Sequence, residues 1–242
     1  MNKIDYVASY KEHFAKLNQT IAGDAALRQA VGGEFQAIGQ LELFLIKQYV
    51  DLSQPCKIVD VGCGSGRLSV QLAPFDTVSY IGTDIVPELL AHAKKLSNRN
   101  DWIFSESSKI EIPCESGTAD AVCFFSVFTH LYMQDSYRYL AEAKRVLKKG
   151  GKIIFSFLEF KIGCHWAVFE GMLGSAANVH LDQFISRDAI ATWASKLDLD
   201  VVAINDGDVP HIPLDFPVNY DDGRVQTDLG NFGQSDCVLM VR

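Results

Sequence analysis

The sequence lacks the features by which several classes of protein are recognised. None of its six cysteines forms a C-x-x-C pair, and no cysteine stands at a metal-ligand spacing from a histidine. The longest apolar run, from Ala121 to Phe128, is interrupted by Ser126 and is too short to span a bilayer. The amino terminus is polar and charged, unlike a secretory signal. We therefore expect a cytoplasmic protein with reduced, structural cysteines, no metal site and no membrane partner.

Positive charge is also in short supply. The 242 residues include 22 lysines and arginines against 30 aspartates and glutamates, which gives a formal net charge of -8 at pH 7. A protein that binds nucleic acid usually needs a basic surface to neutralise phosphates, so we expect no nucleic-acid partner. Hydrophobic residues make up 48% of the chain, which is enough to build a sizeable core. Internal repeats and low-complexity tracts are absent, and we expect a monomer or a homodimer.

Hydrophobic periodicity divides the chain into two parts. Residues 1–52 carry two helical patterns and are predicted to form a helical extension. Residues 53–242 alternate short β-branched runs with helical segments, which predicts an α/β domain with a doubly wound, mostly parallel sheet of seven strands. The predicted strands are residues 57–62, 78–84, 101–106, 119–128, 152–160, 200–205 and 235–242. A helix is predicted over residues 136–149, and irregular structure over residues 161–183 and 207–234.

The first predicted strand leads into a glycine-rich turn with the sequence IVDVGCGSGRLS. Gly62, Gly64 and Gly66 stand at every second position, directly after a strand that ends near Asp60. A dinucleotide-binding turn would read G-x-G-x-x-G, but Arg67 occupies the place of its third glycine. A buried aspartate at this point would also repel a pyrophosphate. The pattern therefore favours a cationic nucleoside without phosphate over a nicotinamide dinucleotide, and a tight turn without any ligand is the less favoured alternative.

The second predicted strand also ends in an acid. Asp84 follows Asp60 by 24 residues, which is close to the spacing of acids that bind a ribose. A carboxylate in this place can accept hydrogen bonds from both ribose hydroxyls. The structural alternative is that Asp84 caps the helix that begins at Pro87.

These two segments resemble the first and second motifs of the class I S-adenosylmethionine-dependent methyltransferases. VDVGCGSGRLS is similar to the family pattern E/D-x-G-x-G-x-G, and YIGTDIVPELL is similar to its second motif. The resemblance covers the chain from about Ser53 onward and implies a Rossmann-like fold with S-adenosylmethionine as cofactor. It implies that the glycine loop packs on the methionine part of the cofactor, with Asp60 near its ammonium and Asp84 on its ribose.

Two further segments extend the resemblance. FSESSKIEIP lacks the aspartate that relatives often carry beside the adenine, so Ser107 or Ser108 takes its place. ADAVCFFSVFTHL resembles the fourth strand of the family, which brings Phe125 and Ser126 beside the reacting centre. Phe35 is predicted to belong to a lid over the cofactor, with Tyr6 and Tyr10. The predicted cofactor-binding residues are Phe35, Asp60, Gly62, Cys63, Gly64, Gly66, Arg67, Asp84, Ile85, Ser107, Ser108, Phe125 and Ser126.

The methyl acceptor is expected to be a small molecule. The chain lacks both the Pro-Pro pair of nucleic-acid N-methyltransferases and the Asp-Asn pair of metal-dependent catechol enzymes at the corresponding places. A hydroxyl acceptor needs a general base, for which His130 is the first candidate and His180 and His211 are the next. The acceptor is predicted to be an alcohol of a natural product, sugar or lipid head group. A small amine remains an alternative acceptor, and a non-catalytic cofactor-binding subunit that supports a partner enzyme remains an alternative function.

Aromatic residues in the two irregular segments are predicted to line the acceptor pocket. They are Trp166, Phe169, Phe184 and Phe216. Phe184 also precedes the helix cap Ser186, where an apolar side chain can act as a staple instead.

Overall fold

The computed structural model describes residues 5–20, 27, 34–107, 109–173 and 182–242. The helices in these ranges are α1 (Tyr6–Thr20), α2 (Phe35–Lys47), α3 (Arg67–Leu72), α4 (Pro87–Ser97), α5 (Met133–Val146), α6 (Gly163–Leu173) and α7 (Arg187–Lys196). The strands are β1 (Cys56–Val61), β2 (Val78–Asp84), β3 (Ile103–Glu106), β4 (Ala119–Phe124), β5 (Leu147–Phe157), β6 (Leu199–Asn205), β7 (Ile212–Pro213), β8 (Val218–Asn219), β9 (Val225–Gln226), β10 (Leu229–Gly230) and β11 (Ser235–Val241).

Seven of these strands form one sheet in the order β3-β2-β1-β4-β5-β11-β6. The pairs from β3 to β5 are parallel, whereas β11 runs antiparallel to both β5 and β6. The strand order reverses between β1 and β4, which is the point at which open α/β sheets bind their ligands. The prediction of a doubly wound, mostly parallel seven-stranded sheet is confirmed.

Successive residues of the strands pack alternately into two separate halves of the core, one on each face of the sheet. Ile58 packs in a cluster that contains Leu41 and Phe44 of α2. Its neighbour Val59 packs on the opposite face, in a cluster that contains Leu140 of α5. Because β1 is covered on both faces, it is apolar almost throughout, as strands of buried parallel sheets are. Asp60, the last residue but one of β1, therefore lies in an environment that has little access to water.

The boundary between α5 and β5 differs from the prediction. The helix was expected to run to Lys149, but it ends at Val146 and the strand begins at Leu147. Leu147 pairs with Ala119 of β4, and the Val146 carbonyl accepts a hydrogen bond from the Thr118 amide. Sheet pairing therefore overrides the helical preference of the lysines that follow.

The stretch predicted to be irregular after β5 contains a helix. Helix α6 is apolar on nearly all sides, so it lacks the alternation of polar and apolar residues that identifies a helix in a sequence. The connection over residues 207–234 also contains short antiparallel pairs, β7 with β10 and β8 with β9. Ile212 and Val218 bury these pairs against the half of the core that contains α2.

All six cysteines lie in the described ranges, and all are free thiols. Cys164 on α6 is exposed and Cys114 is partly exposed, whereas the other four are buried. In the same ranges, no helix is both long and apolar enough to cross a membrane.

Candidate active site

The site is centred on the loop between β1 and α3. Gly62, Gly64 and Gly66 all have positive φ angles, of 76°, 53° and 96°. Residues other than glycine rarely adopt such angles. The loop reverses the chain at the carboxyl end of β1, beside the ends of β2 and β4. These three strand ends therefore surround one position at the edge of the sheet.

Protein packing accounts for two of the three glycines. A Cβ atom on Gly62 would lie 2.5 Å from Cγ2 of Val127, which follows β4. A Cβ atom on Gly66 would lie 2.7 Å from the Cα of Ala93 in α4. The space beside these two glycines is therefore filled by neighbouring segments of the chain, and contact of the loop with the cofactor stays a prediction. Glycine is therefore required at Gly62 because Val127 lies so close, and at Gly66 because α4 lies so close.

The amides of the glycine loop are used within the protein. The N–H groups of Gly62 and Cys63 both donate to the Thr83 carbonyl, at 2.7 and 2.9 Å, and the Gly64 N–H donates to Oδ2 of Asp84 at 2.9 Å. A loop that binds pyrophosphate must direct such amides at the ligand. This loop directs them at β2 instead, which disfavours a dinucleotide and agrees with the interpretation of the sequence.

Asp84 joins the loop to the start of α4. Its Oδ1 accepts a hydrogen bond of 3.0 Å from the Val86 amide, while Oδ2 accepts the bond from Gly64. Burial raises the pKa of the Asp84 carboxyl, and backbone hydrogen bonds from Val86, Gly64 and Ile85 offset this rise only in part. A carboxylate offers more lone pairs than these bonds use, so hydroxyl donors can still bind there. The acceptor chemistry of Asp84 therefore fits a ribose.

Asp60 is the second buried carboxyl group of the site. It is 3% exposed, and its Oδ2 accepts a hydrogen bond of 2.8 Å from the Tyr80 hydroxyl. Burial raises the pKa of Asp60 to about 7, although the hydrogen bond from Tyr80 lowers it. Close to neutral pH the group is thus divided between its protonated and ionised forms, and a nearby cation would favour the ionised form.

Several predicted cofactor-binding side chains contact other parts of the protein. Arg67 forms a buried ion pair with Glu42 of α2. The Cys63 side chain is buried in the core, and Phe125 is buried with its ring edge-on to Phe232 at 6.0 Å. The role of these three residues in binding the cofactor stays a prediction.

Ser65 lies within the same loop and was not among the predicted residues. It is fully buried, and no residue in the described ranges provides a hydrogen-bond partner for its hydroxyl. A buried hydroxyl without a partner is rare and points to a group absent from the protein itself. A polar ligand at the loop would fit this requirement. The only signal in the sequence was that the serine stands between two glycines.

Helix α1 lies across the ends of β2 and β4. Phe14 packs on Val86 with Ile85 at the edge of the contact, and the Tyr10 ring centroid lies 6.3 Å from that of His130. Burial raises the pKa of the Tyr10 hydroxyl, and the nearby Asp84 carboxylate raises it further. This arrangement agrees with the predicted lid, whose role stays a prediction.

For the remaining predicted cofactor-binding residues, the structure shows fewer contacts with the glycine loop and its neighbours in the described ranges. Phe35 is the buried first residue of α2. The Ser107 hydroxyl donates to the carbonyl of Lys109 at 3.1 Å, which leaves its lone pairs for an incoming donor. Ser108 and the candidate base His180 lie outside the described residues.

His130 stands at the end of the turn that follows β4. Its Nδ1 lies 3.6 Å from Oδ1 of Asp182, within ion-pair range. The next residue along, Gln183, donates its N–H to the Thr129 carbonyl at 2.7 Å and so fixes the two segments side by side. His130 is about one-third exposed, whereas Asp182 is mostly buried. A partly exposed imidazole beside a carboxylate has the arrangement of an oriented general base.

His211 has a different environment. Its Nε2 forms an ion pair with the fully buried Asp236, and its Nδ1 lies 2.9 Å from the Val209 carbonyl. Burial disfavours the charged imidazole, but Asp236 and the carbonyl outweigh it and raise the pKa of His211. Because both ring nitrogens face oxygen acceptors, neither is free to take a proton from a substrate. This geometry is that of a structural ion pair rather than of the predicted base.

An aromatic cluster adjoins the His130–Asp182 pair. Phe160 and Phe184 stack with ring centroids 4.4 Å apart, and Phe169 and Trp166 pack at the edges of this stack. Phe184 follows Asp182 by two residues, so one short segment of the chain contributes to both the pair and the cluster. Phe160 is 54% exposed and Trp166 is 44% exposed, which is unusual for large apolar side chains. Phe216, the fourth predicted wall residue, packs instead on Phe44 of α2.

Metal-ligating side chains do not cluster in the described ranges. No group of three or more histidine, cysteine, aspartate or glutamate side chains there stands close enough to hold a metal ion. The expectation of a metal-independent reaction stays a prediction.

Comparison with known proteins agrees with this site. A family model described as a methyltransferase domain matches residues 59–155. The chain is 25% identical over 190 residues to the malonyl-(acyl-carrier protein) O-methyltransferase of Hahella chejuensis, a match that covers 76% of this chain and 64% of that protein. It is also 25% identical over 174 residues to the ubiquinone biosynthesis O-methyltransferase of Xanthomonas oryzae, covering 68% of this chain and 71% of that protein.

Solved structures show the same fold. Magnesium protoporphyrin IX methyltransferase from Synechocystis, solved with bound S-adenosylhomocysteine, has a TM-score of 0.62 at 13% identity. The match covers 98% of this chain and 96% of that one.

Residues 59–155 thus match a methyltransferase domain, and the fold is that of solved S-adenosylmethionine-dependent methyltransferases. S-adenosylmethionine is the cofactor of this class, so the predictions of family, fold and cofactor are confirmed. Because the chain spans 64% of the length of the Hahella relative, the activity of that protein does not transfer to it directly.

Proposed function

We propose that the protein transfers a methyl group from S-adenosylmethionine to a hydroxyl group of a small apolar molecule. The observation that carries the proposal is the His130–Asp182 pair, and the segment that holds Asp182 also contributes Phe184 to an exposed aromatic cluster. The two curated relatives described above are both named as O-methyltransferases, which supports a hydroxyl acceptor.

Two carboxylates would hold the cofactor. Asp84 would accept the ribose hydroxyls with the lone pairs that its backbone bonds leave, and Asp60 would face the ammonium of the amino-acid part. Val127, packed against Gly62 of the loop, would help to exclude water from the space between the two carboxylates. Helix α1, with Tyr10 and Ile85, would close over the site as a lid.

The cofactor supplies an electrophilic methyl group on a positively charged sulfur. The acceptor oxygen would form a bond to that carbon as the carbon–sulfur bond broke, and the electron pair of the broken bond would stay on the sulfur of S-adenosylhomocysteine. His130 takes the proton from the attacking hydroxyl, and Asp182 orients the imidazole and stabilises its positive charge. Most of the remaining acceleration comes from holding the two reactants in line.

The aromatic cluster defines the class of acceptor that we expect. Stacked rings at the rim of the site favour a flat or extended apolar body, such as a phenol or a hydroxylated ring system. A sugar would leave these rings against water. We therefore favour an apolar phenol or alcohol over the sugars and lipid head groups that the sequence left open.

The test is a turnover assay on paired acceptor panels. S-adenosylhomocysteine formation is measured with phenols, aliphatic alcohols and matched amines, for the parent, His130→Gln, Asp182→Asn and His211→Gln. We expect turnover on phenols or alcohols, a fall of about 10²- to 10⁴-fold in kcat for His130→Gln, and a smaller fall for Asp182→Asn. His211→Gln is the matched control and should keep its kcat per folded molecule.

Other outcomes would overturn the proposal in distinct ways. Turnover confined to amines, with His130→Gln unaffected, would indicate N-methylation. Binding of S-adenosylhomocysteine without turnover on any panel would favour a cofactor-binding subunit of a partner enzyme. Failure to bind S-adenosylhomocysteine at all would refute the assignment of the loop as the cofactor site.

A further inference from the structure

Three side chains form a closed ring of hydrogen bonds at the carboxyl end of β4. The Ser126 N–H donates to Oγ of Ser156 at 2.7 Å, and the Ser156 hydroxyl donates to Oε1 of Gln234 at 2.6 Å. The Gln234 amide then donates from Nε2 to Oγ of Ser126 at 3.0 Å. Each donor in the ring meets an acceptor.

The ring surrounds a residue in an unfavourable conformation. Ser126 has a φ angle of 58°, in the left-handed region that residues other than glycine and asparagine rarely occupy. Such conformations persist only where the surroundings impose them, and they concentrate at functional sites. Two of the three bonds in the ring end on Ser126, one at its amide and one at its hydroxyl.

The left-handed turn at Ser126 sets the position of both halves of the site. The following residue, Val127, fills the space that Gly62 leaves open in the cofactor loop. The Ser126 carbonyl accepts a hydrogen bond of 3.0 Å from the Thr129 hydroxyl, and the His130 amide donates to the Val127 carbonyl at 2.9 Å. A change in the backbone at Ser126 would therefore displace both the loop and the proposed base.

We infer that Gln234 is a positioning residue for the reaction centre. It comes from the connection before β11, far from the glycine motif in sequence, and it acts by holding Ser126 in the left-handed conformation. This inference rests on the proposed function only in taking the loop as the cofactor site. This role could not be predicted from the sequence, because nothing in the chain near residue 234 resembles a motif.

The test combines loss with rescue. Gln234→Ala should weaken binding of S-adenosylhomocysteine about three- to tenfold by calorimetry, because the left-handed turn loses its support. Adding Ser126→Gly should restore most of that affinity, because glycine adopts the left-handed conformation without a side-chain penalty. Gln226→Ala is the matched control: Gln226 also makes two side-chain hydrogen bonds in the same connection, both to Asn231, and its loss should leave affinity unchanged.

Two results would overturn the inference while leaving the proposed function intact. One is a Gln234→Ala variant that binds S-adenosylhomocysteine as tightly as the parent. The other is a double variant no better than Gln234→Ala alone, which would mean that the Ser126 hydroxyl itself, rather than the backbone conformation, matters. A parent protein that fails to bind S-adenosylhomocysteine would remove the proposed function together with this inference.

Discussion

Affinity for S-adenosylhomocysteine should rise with pH through the ionisation of Asp60. Burial raises the pKa of this carboxyl to about 7, against the lowering effect of the Tyr80 hydroxyl. With that pKa, about a tenth of the protein carries the ionised form at pH 6 and about nine-tenths at pH 8. Because we propose that the ligand's ammonium faces Asp60, the ionised form should be the one that binds. Affinity should then rise about tenfold between pH 6 and pH 8, which is about 1.4 kcal/mol.

Calorimetry on the parent and two variants separates this effect from other titrations. Asp60→Asn should bind more weakly at pH 8 and lose the dependence on pH. Tyr80→Phe removes the hydrogen bond that lowers the pKa of Asp60, so the midpoint of the pH dependence should move to higher pH. A second ligand, 5′-methylthioadenosine, has no ammonium and should show a flat profile in the parent.

The reasoning would be refuted by a dissociation constant that stays the same from pH 6 to pH 8 in the parent. An unchanged pH dependence in Asp60→Asn would equally show that another group titrates. A pH dependence shared by 5′-methylthioadenosine would place the effect at the adenosine end of the ligand instead.

Four further outcomes are expected. Asp84→Asn should weaken S-adenosylhomocysteine binding by about 2 kcal/mol in calorimetry, since charge-assisted hydrogen bonds to the ribose are lost; unchanged affinity would make Asp84 a helix cap only. Gly62→Ala should destabilise the fold by about 1–3 kcal/mol in urea unfolding, with partial rescue by Val127→Ala, because the new Cβ meets that side chain. His211→Gln should cost about 3–5 kcal/mol at pH 6, because it leaves Asp236 buried without its partner. The raised pKa of His211 means that its contribution is complete below the unfolded-state pKa and is lost as pH rises through the folded-state pKa, so the difference between parent and variant should shrink at alkaline pH. Turnover should be the same with EDTA or added magnesium, and recovery of a chelated, inactive enzyme by a divalent ion would contradict this.

The fold and the cofactor loop could be predicted because local patterns determine them. The alternation of β-branched runs with helices is a property of neighbouring residues, and so are the glycine spacing after Asp60 and the acid at the end of the second strand, Asp84. The physical reason for the glycines could not be predicted in the same way. Val127 meets Gly62 only after β1 and β4 pair, and these residues are 65 positions apart by their numbering.

The acceptor side of the site depends on contacts that no local pattern records. Asp182 reaches His130 because Gln183 bonds to Thr129 across more than fifty residues. Helix α6 could not be predicted because it is apolar on nearly all sides. His211 is a candidate base by its place in an irregular segment, and only the structure shows that Asp236 of the last strand is its buried partner. Pairs of residues that are distant in sequence could be identified only from the structure.

The buried carboxyl group of Asp60 has a consequence for the life of the protein in the cell. Burial raises the pKa of Asp60 to about 7, so near neutral pH the native state retains a proton that the unfolded chain gives up, and the cofactor-free fold is weakened. A ligand that binds only the native state stabilises it by about 2.7 kcal/mol at a hundredfold excess over its dissociation constant. Proteases act on the opened form, so its population sets how quickly the chain is degraded. The abundance of this enzyme should therefore follow the supply of S-adenosylmethionine, falling by proteolysis when the cofactor is scarce.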